Sequence, residues 1–180
     1  MTTTFLPFHQ QHKNQVVTLF IEVFSASENE QEGQLIGELV KDLIATTATD
    51  DLQGFMAFDE DTLIGCIFFS RLTLTNDISA FILSPVAIAT SAQVKGVGQG
   101  LINHGLDQLK AQGISLALTY GDPKYYGKVG FEQITEQQIK APLTLSFPHG
   151  WLAQSLDDTN LASLATQCQC VKALNEQKYW

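Results

Sequence analysis

Apolar residues at Val16, Leu19, Phe20, Val23 and Phe24 recur at helical spacing and predict an amphipathic helix ending near residues 25–29. A second stripe, Leu35, Ile36, Leu39, Val40, Leu43 and Ile44, turns Glu38, Lys41 and Asp42 outward and predicts another helix. A short β-prone stretch at 5–8 precedes them. Residues 52–58 and about 63–74, on either side of Asp59, Glu60 and Asp61, have the spacing of a hairpin. Gly65 inside the second arm marks a bulge or a close approach of backbone. Residues 78–88 form a further apolar, β-branched strand, interrupted by Ser84 and Pro85. Proline has no N–H for a ladder, so this strand should bulge or splay near Pro85.

After the polar residues 90–92 comes a glycine-rich stretch at 95–100, then a helix carrying Leu101, Ile102, Leu106 and Leu109 up to Gly113. Residues 114–119 have the pattern of a buried strand. Asp122 followed by Pro123 is an N-cap with proline at the first helical position, predicting a short helix over 123–129 stopped by Gly130. Downstream, Leu143, Leu145 and Phe147 alternate as in a strand, as do residues around Trp151; beyond Asp157 no element is assigned. Three sequential strands argue for antiparallel pairing and the helical crossover into 114–119 for a parallel pair, so the expected architecture is α/β, of the α+β type, with a mixed sheet.

Composition narrows the function. The 180 residues, 44% hydrophobic and 16% charged, suit one folded domain and exclude a disordered tail. The formal net charge is -9, with Arg71 the only arginine, which argues against nucleic acid or an anionic membrane as a partner. Cys66, Cys168 and Cys170 are too few for a disulfide scaffold, and Cys168-Gln169-Cys170 lacks the second ligand pair of a structural zinc site. No metal is expected, and a reducing cytoplasm fits best. Neither a signal peptide nor a membrane span is expected, since no basic region precedes an apolar core and about 18 consecutive apolar residues occur nowhere.

The chemistry-bearing segment is Gln93-Val94-Lys95-Gly96-Val97-Gly98-Gln99-Gly100, between a strand and a helix. Glycines there admit a close ligand, and the first amides of the helix form an anion site without any arginine. A plain strand-to-helix turn explains the same residues. The Walker pattern is absent, and Leu101 stands where the dinucleotide pattern needs its last glycine.

Gln93, Gly96 and Gly98 occupy the defining positions of the R/Q-x-x-G-x-G/A signature, and the segment resembles that of the GNAT superfamily of N-acetyltransferases. Leu83-Ser84-Pro85-Val86-Ala87-Ile88 looks like the strand that splays in that family to admit a pantetheine arm. Gly121-Asp122-Pro123-Lys124-Tyr125-Tyr126-Gly127-Lys128-Val129-Gly130-Phe131 resembles its Tyr-x-x-x-Gly-Phe ending, and the Gly-Asp-Pro-x-Tyr-Tyr form resembles one bacterial subgroup of predicted small acetyltransferases. Three positions depart from the commonest pattern: Thr119 replaces an asparagine, Thr90 a proline and Gln93 an arginine.

The resemblance implies a GNAT-like mixed, mostly antiparallel sheet with flanking helices, splayed between its fourth and fifth strands, over a domain at 1–156 with a C-terminal extension at 157–180 packed on it. It implies acetyl-CoA as cosubstrate, held by the backbone of Val86, Ala87 and Ile88 along the pantetheine. The amides of Val94, Lys95, Gly96, Val97 and Gly98, extending to Gln99 and Gly100, would cradle the pyrophosphate, with Lys95, Lys124 or Lys128 as outer cations. The acceptor is then a primary amine that attacks the thioester directly. Tyr126 falls on the general-acid position, with Tyr125 as a substitute. Glu22, Glu28, Glu32, His9 and His149 are the candidates for deprotonating the amine, and none is singled out. A non-catalytic acyl-CoA-binding or interaction module of the same fold is the alternative; a nucleotide-binding protein is disfavoured by the loop. Monomer and homodimer stay open. Residues 22–61 carry 11 acidic residues and only Lys41 as a base, whereas residues 93–131 carry four lysines and two aspartates. A cationic acceptor, such as a polyamine or a basic peptide, fits that distribution.

Overall fold

The computed structural model describes residues 2–180 as a mixed, mostly antiparallel sheet of nine strands with flanking helices. The chain divides into two compact units: one comprises the chain up to Phe69 and Pro85–Gly105, the other Ser70–Ser84 and Leu106–Trp180.

In the first unit, β1 (Thr3–Pro7) pairs antiparallel with β2 (Leu52–Asp59), in a register from Thr3↔Asp59 to Pro7↔Phe55. A turn at Glu60, whose φ is 52°, leads from β2 into β3 (Thr62–Leu74), which hydrogen-bonds β2 as the hairpin spacing predicts. Helices α1 (Lys13–Ser27) and α2 (Glu30–Thr46) bury the two apolar stripes. Asn29 caps α2, its Oδ1 accepting from the Glu32 amide at 2.9 Å, and Glu30 and Glu32 place negative charge at the helix N-terminus. Gly37 lets the two helices approach: a Cβ there would meet Ile21 Cγ1 at 2.5 Å. The core of this unit is aromatic, with Phe8 and Phe20 against Phe68 and Phe24 stacked on Phe20. Gly65 is a close approach, since a Cβ would lie 2.9 Å from Ile88 Cδ1.

The chain leaves the second unit for the first between Ser84 and Pro85, inside β4 (Ser79–Ile88), and returns between Gly105 and Leu106, inside α3 (Val97–Ala111). In the second unit, β4 runs parallel to β5 (Leu116–Tyr120) from Ala80↔Leu116 to Leu83↔Thr119. Next to β5 lies β8 (Trp151–Ser155), antiparallel, and then β6 (Glu132–Gln133). On the other side, β9 (Thr166–Gln169) pairs antiparallel with β3 and parallel with β7 (Ile139–Lys140). Helix α4 (Pro123–Gly127) follows β5 directly, with Pro123 at its start.

The alternation at Leu143, Leu145 and Phe147 does not make a strand. Between Pro142 and Pro148 the backbone finds partners outside any ladder: Ser146 N–H donates to the Trp180 carbonyl at 3.2 Å, Phe147 N–H donates to the Tyr120 hydroxyl, and Gln177 Nε2 donates to the Thr144 carbonyl. Leu145 is buried and Phe147 half exposed, so the alternation reflects a loop tied at intervals. The tail is held within the same unit by Trp180, buried, whose ring stacks 5.9 Å from Tyr120 and whose Nε1 donates to Leu174 O at 2.8 Å. Among the described residues no helix is long and apolar enough to cross a membrane.

Two glycines test this packing. At Gly105 a Cβ would meet the Phe69 ring at 2.5 Å and the Phe55 ring at 3.2 Å, whereas at Gly127 it would meet nothing within 4 Å. Gly105→Ala should lower stability by about 1–2 kcal/mol, because overpacking outweighs the gain in helix propensity. Gly127→Ala should instead raise it by about 0.4–1 kcal/mol. Urea unfolding midpoints of the two variants, shifted in opposite directions, check both statements.

Candidate active site

In the first unit, the end of β4 leads through residues 89–92 into the glycine-rich turn and α3. Ala89 N–H donates to Ile64 O at 2.8 Å and Ala92 N–H to Ala89 O at 2.8 Å, which anchors the entry to the turn. Gln93 extends this anchor: its Nε2 donates to Ile88 O at 3.0 Å. The side chain that stands in place of the family's arginine thus ties the turn back to the strand and spends a donor there. Of the three residues expected along the pantetheine, Ala87 and Ile88 are buried and Val86 is half-buried.

Gly96 has φ +79° and open space where a Cβ would be, so the turn there is bare backbone. Val94 has φ 56° and a fully exposed side chain. A β-branched residue in the left-handed region is rare, and nothing packs on Val94 in return. Lys95 beside it is exposed. Helix α3 begins at Val97, and its first amides lack partners inside the helix. The Gly100 amide is the exception, since it donates to Gly96 O at 2.9 Å. Gly100 is small for packing reasons as well: a Cβ would lie 2.9 Å from the Phe5 ring. An anion facing this turn meets backbone donors, a helix N-terminus and one lysine.

Glu22, in the same unit, lines a shallow cleft with Asn14, Gln15, Thr18, Leu19 and Leu63. Glu28 closes α1, its amide donating to Phe24 O at 2.9 Å. The Glu32 amide is taken by the α2 cap, and His9 is exposed ahead of α1.

In the second unit, Tyr126 sits on α4, where Asp122 caps the helix by accepting from the Lys124 amide at 2.9 Å. The Phe131 amide donates to Tyr126 O at 3.2 Å and closes the turn after the helix, with Gly130 at φ +94°. The Tyr126 ring is wedged between Tyr125 and Phe131, at centroid distances of 5.0 and 5.9 Å. It covers Gly121, where a Cβ would lie 2.8 Å from its Cε2. Burial pushes the phenol above the ordinary tyrosine range, the negative charges that Tyr125 and Asp122 can carry push it further, and the Thr119 hydroxyl opposes them. Tyr125, half-buried, is raised by burial too. Lys124 and Lys128 are exposed on the same segment.

His149, in this unit, shares a hydrogen bond of 3.0 Å between its Nδ1 and Gln133 Nε2 and lies edge-on to the exposed Phe147. The three cysteines are free thiols. Burial pushes Cys168 up to about 12 and Cys170 up to about 11, so neither is a nucleophile at neutral pH.

Sequence reasoning counted Thr119 as a missing asparagine. Its side chain is fully buried, and Oγ1 donates to Leu83 O at 2.8 Å. Tyr120 escaped notice as well, although its hydroxyl receives the Phe147 amide. Both residues lie on a strand that was legible, but their partners are 36 and 27 residues away in the chain.

Residues 7–134 match the family model of the acetyltransferase (GNAT) domain, well over half of the chain. The protein belongs to this family. It is similar to the uncharacterized N-acetyltransferase YjhQ of Escherichia coli strain K12, 28% identical over 162 residues and 87% of each chain. It is also similar to the uncharacterized N-acetyltransferase YhbS of that strain, 27% identical over 117 residues, 63% of this chain and 65% of the other. The crystal structure of E. coli YhbS in complex with CoA has the same fold, with a TM-score of 0.83 at 21% identity, covering 97% of this chain and 93% of that one. A GNAT acetyltransferase from Brucella melitensis in complex with acetyl-CoA gives 0.75 at 19% identity, covering 96% and 98%.

Val94→Gly removes a left-handed β-branched residue whose side chain packs on nothing. Thermal unfolding should show a gain of about 1 kcal/mol. An unchanged or lower midpoint would mean that the turn does not hold Val94 at positive φ.

Proposed function

We propose that the protein transfers the acetyl group of acetyl-CoA to a primary amine, on a small molecule or a peptide, by direct attack while both substrates are bound. The observation that carries this reading is Tyr126, a packed phenol on the general-acid position of a GNAT family member, held protonated above the ordinary tyrosine range by its surroundings. The bare backbone of the glycine-rich turn supports it, and so does the likeness to proteins whose structures hold CoA and acetyl-CoA. Within the family we assign the chain to the bacterial subgroup with the Gly-Asp-Pro-x-Tyr-Tyr form, and we place it in the cytoplasm, where its three free thiols are stable.

The proposed roles follow from the chemistry each part offers. The amides of Val94, Lys95, Gly96, Val97, Gly98 and Gln99 bind the pyrophosphate of acetyl-CoA, and the backbone of Val86, Ala87 and Ile88 pairs with the pantetheine as an added strand would. Gln93 shapes the turn through Ile88, and Gly100 supports it from the first helical turn. The amine attacks the thioester carbon, the carbon–sulfur bond breaks, and Tyr126 gives its proton to the departing thiolate. A phenol of pKa about 10 or above passes a proton to a thiolate whose conjugate acid lies near 8.5 only when the transfer is coupled to bond breaking. The amine nitrogen loses its own proton to solvent or to a side chain. The acceptor is cationic in this reading, because Glu22, Glu28, Glu30, Glu38 and Asp42, on and between α1 and α2, are all exposed.

An amine panel of spermidine, a lysine-rich peptide, an aminoglycoside and an amino acid with a second carboxylate, followed by CoA release, tests the activity. Tyr126→Phe should lower kcat about 100-fold and leave KM for acetyl-CoA within about twofold. Because its surroundings raise the Tyr126 pKa, the proton persists to higher pH, and kcat should show no loss from this group below about pH 10. Acetyl-CoA binding by calorimetry without CoA release across the panel would establish the non-catalytic module instead.

The exposed carboxylates make their own prediction. kcat/KM for spermidine should exceed that for the anionic amine and fall as ionic strength rises, since screening weakens the attraction. Rates insensitive to salt, or a preference for the anionic amine, would remove the cationic acceptor.

A further inference from the structure

Phe147 is one of three large hydrophobic side chains exposed among the described residues, and the only one of them in the second unit. A lone exposed hydrophobe is ordinary. This one is held in place: its amide donates to the Tyr120 hydroxyl at 2.6 Å, and its carbonyl accepts from the Gly150 amide at 2.9 Å. Its ring meets His149 edge-on at 5.9 Å, and Gln133 Nε2, which can only donate, tethers that imidazole through Nδ1 at 3.0 Å. With both backbone groups tied and the neighbouring ring tethered, a ligand that covers the exposed half of Phe147 has little left to order. The place is beside the candidate acid. A Cβ on Gly150 would meet both Phe147 Cδ1 and Gly121 O at 2.8 Å, while a Cβ on Gly121 would meet Tyr126 Cε2 at 2.8 Å. The two rings thus fill adjoining vacancies left by two glycines, where the Gly121 amide donates to the Gly150 carbonyl at 3.0 Å. An amine that reacts within reach of Tyr126 therefore brings its substituent to Phe147. The side chains that brace this loop, Tyr120, His149 and Gln133, include no carboxylate, so what the ring offers is dispersion and an aromatic face.

We infer that Phe147 selects the acceptor: its exposed face packs on an apolar or aromatic group carried close to the reacting nitrogen, so that hydrophobic primary amines are better acceptors than small ones of the same charge. The inference rests on the proposed acetyl transfer with Tyr126 as general acid, and adds to it the character of the group attached to the amine. The contact is the same before and during attack, since the ring touches the substituent and not the atoms that react. It is therefore uniform binding, which lowers KM for the amine and leaves kcat nearly alone.

Acetylation of 2-phenylethylamine against ethylamine, two primary amines of like charge, tests this by CoA release. In the parent, kcat/KM for 2-phenylethylamine should exceed that for ethylamine about tenfold, with the difference in KM. Phe147→Ala should bring the ratio down to about twofold, and Phe147→Trp, which keeps an aromatic face, should hold it within about twofold of the parent. The ratio separates recognition from structure, because a disturbed loop lowers both rates alike and leaves the ratio where it was. A ratio that Phe147→Ala does not move, a ratio near one in the parent, or CoA release confined to amines without an apolar group overturns the inference and leaves acetyl transfer standing. No CoA release from any amine overturns the proposed function, and the inference with it. Should Phe147→Ala fail to fold, Phe147→Trp decides by binding: at saturating CoA, 2-phenylethylamine but not ethylamine should shift the emission of the added indole to the blue, measured against the parent, whose Trp151 and Trp180 are buried. An emission that neither amine moves, or that both move alike, overturns the inference.

Discussion

The ladder between β4 and β5 ends at Leu83↔Thr119, and much of the molecule follows from that end. Pro85 has no amide to continue it. At that end the Leu83 carbonyl accepts from the buried Thr119 hydroxyl. Beyond this point the chain enters the other compact unit, and the freed residues 85–88 lead into the Gln93 anchor and the glycine-rich turn. One absent donor therefore sets where the strand changes company, and a buried threonine makes that change affordable.

Aromatic rings and glycines set the remaining geometry in each unit. In the first, Phe5 covers Gly100 and Phe69 covers Gly105, so α3 is seated by rings that occupy the space of missing side chains. In the second, Tyr126 covers Gly121, and Phe147 lies where a Cβ of Gly150 would be. The Gly150 carbonyl in turn accepts from the Gly121 amide at 3.0 Å. The candidate acid is thus placed by exclusion on one side and by the Asp122 cap on the other.

Much of the fold was legible in the sequence because its signals are local. The two apolar stripes, the hairpin turn, the Asp122 cap and the glycines after α3 and α4 each act within a few residues, and the helices and strands stand close to where periodicity puts them. The break at Pro85 was legible for the same reason. Residues 143–147 were misjudged because alternation identifies only which side chains face inward, and a loop tied to Tyr120 and Trp180 satisfies it as well as a strand does. Of the candidate site, the glycine-rich turn and Tyr126 could be picked out by motif. The role of Gln93 could not, because it depends on the Ile88 carbonyl folding back over it.

Thr119 marks the boundary between the two kinds of information. By itself the sequence determined the element order, the anion-accepting turn, the position of the phenol and the concentration of acidic charge at residues 22–61, since spacing, caps and composition act on near neighbours. Only the tertiary structure decided that the threonine in place of an asparagine turns its hydroxyl to the Leu83 carbonyl. A hydrogen bond needs its two partners within about 3 Å at a usable angle, and for residues 36 positions apart that condition is met only once the sheet has formed.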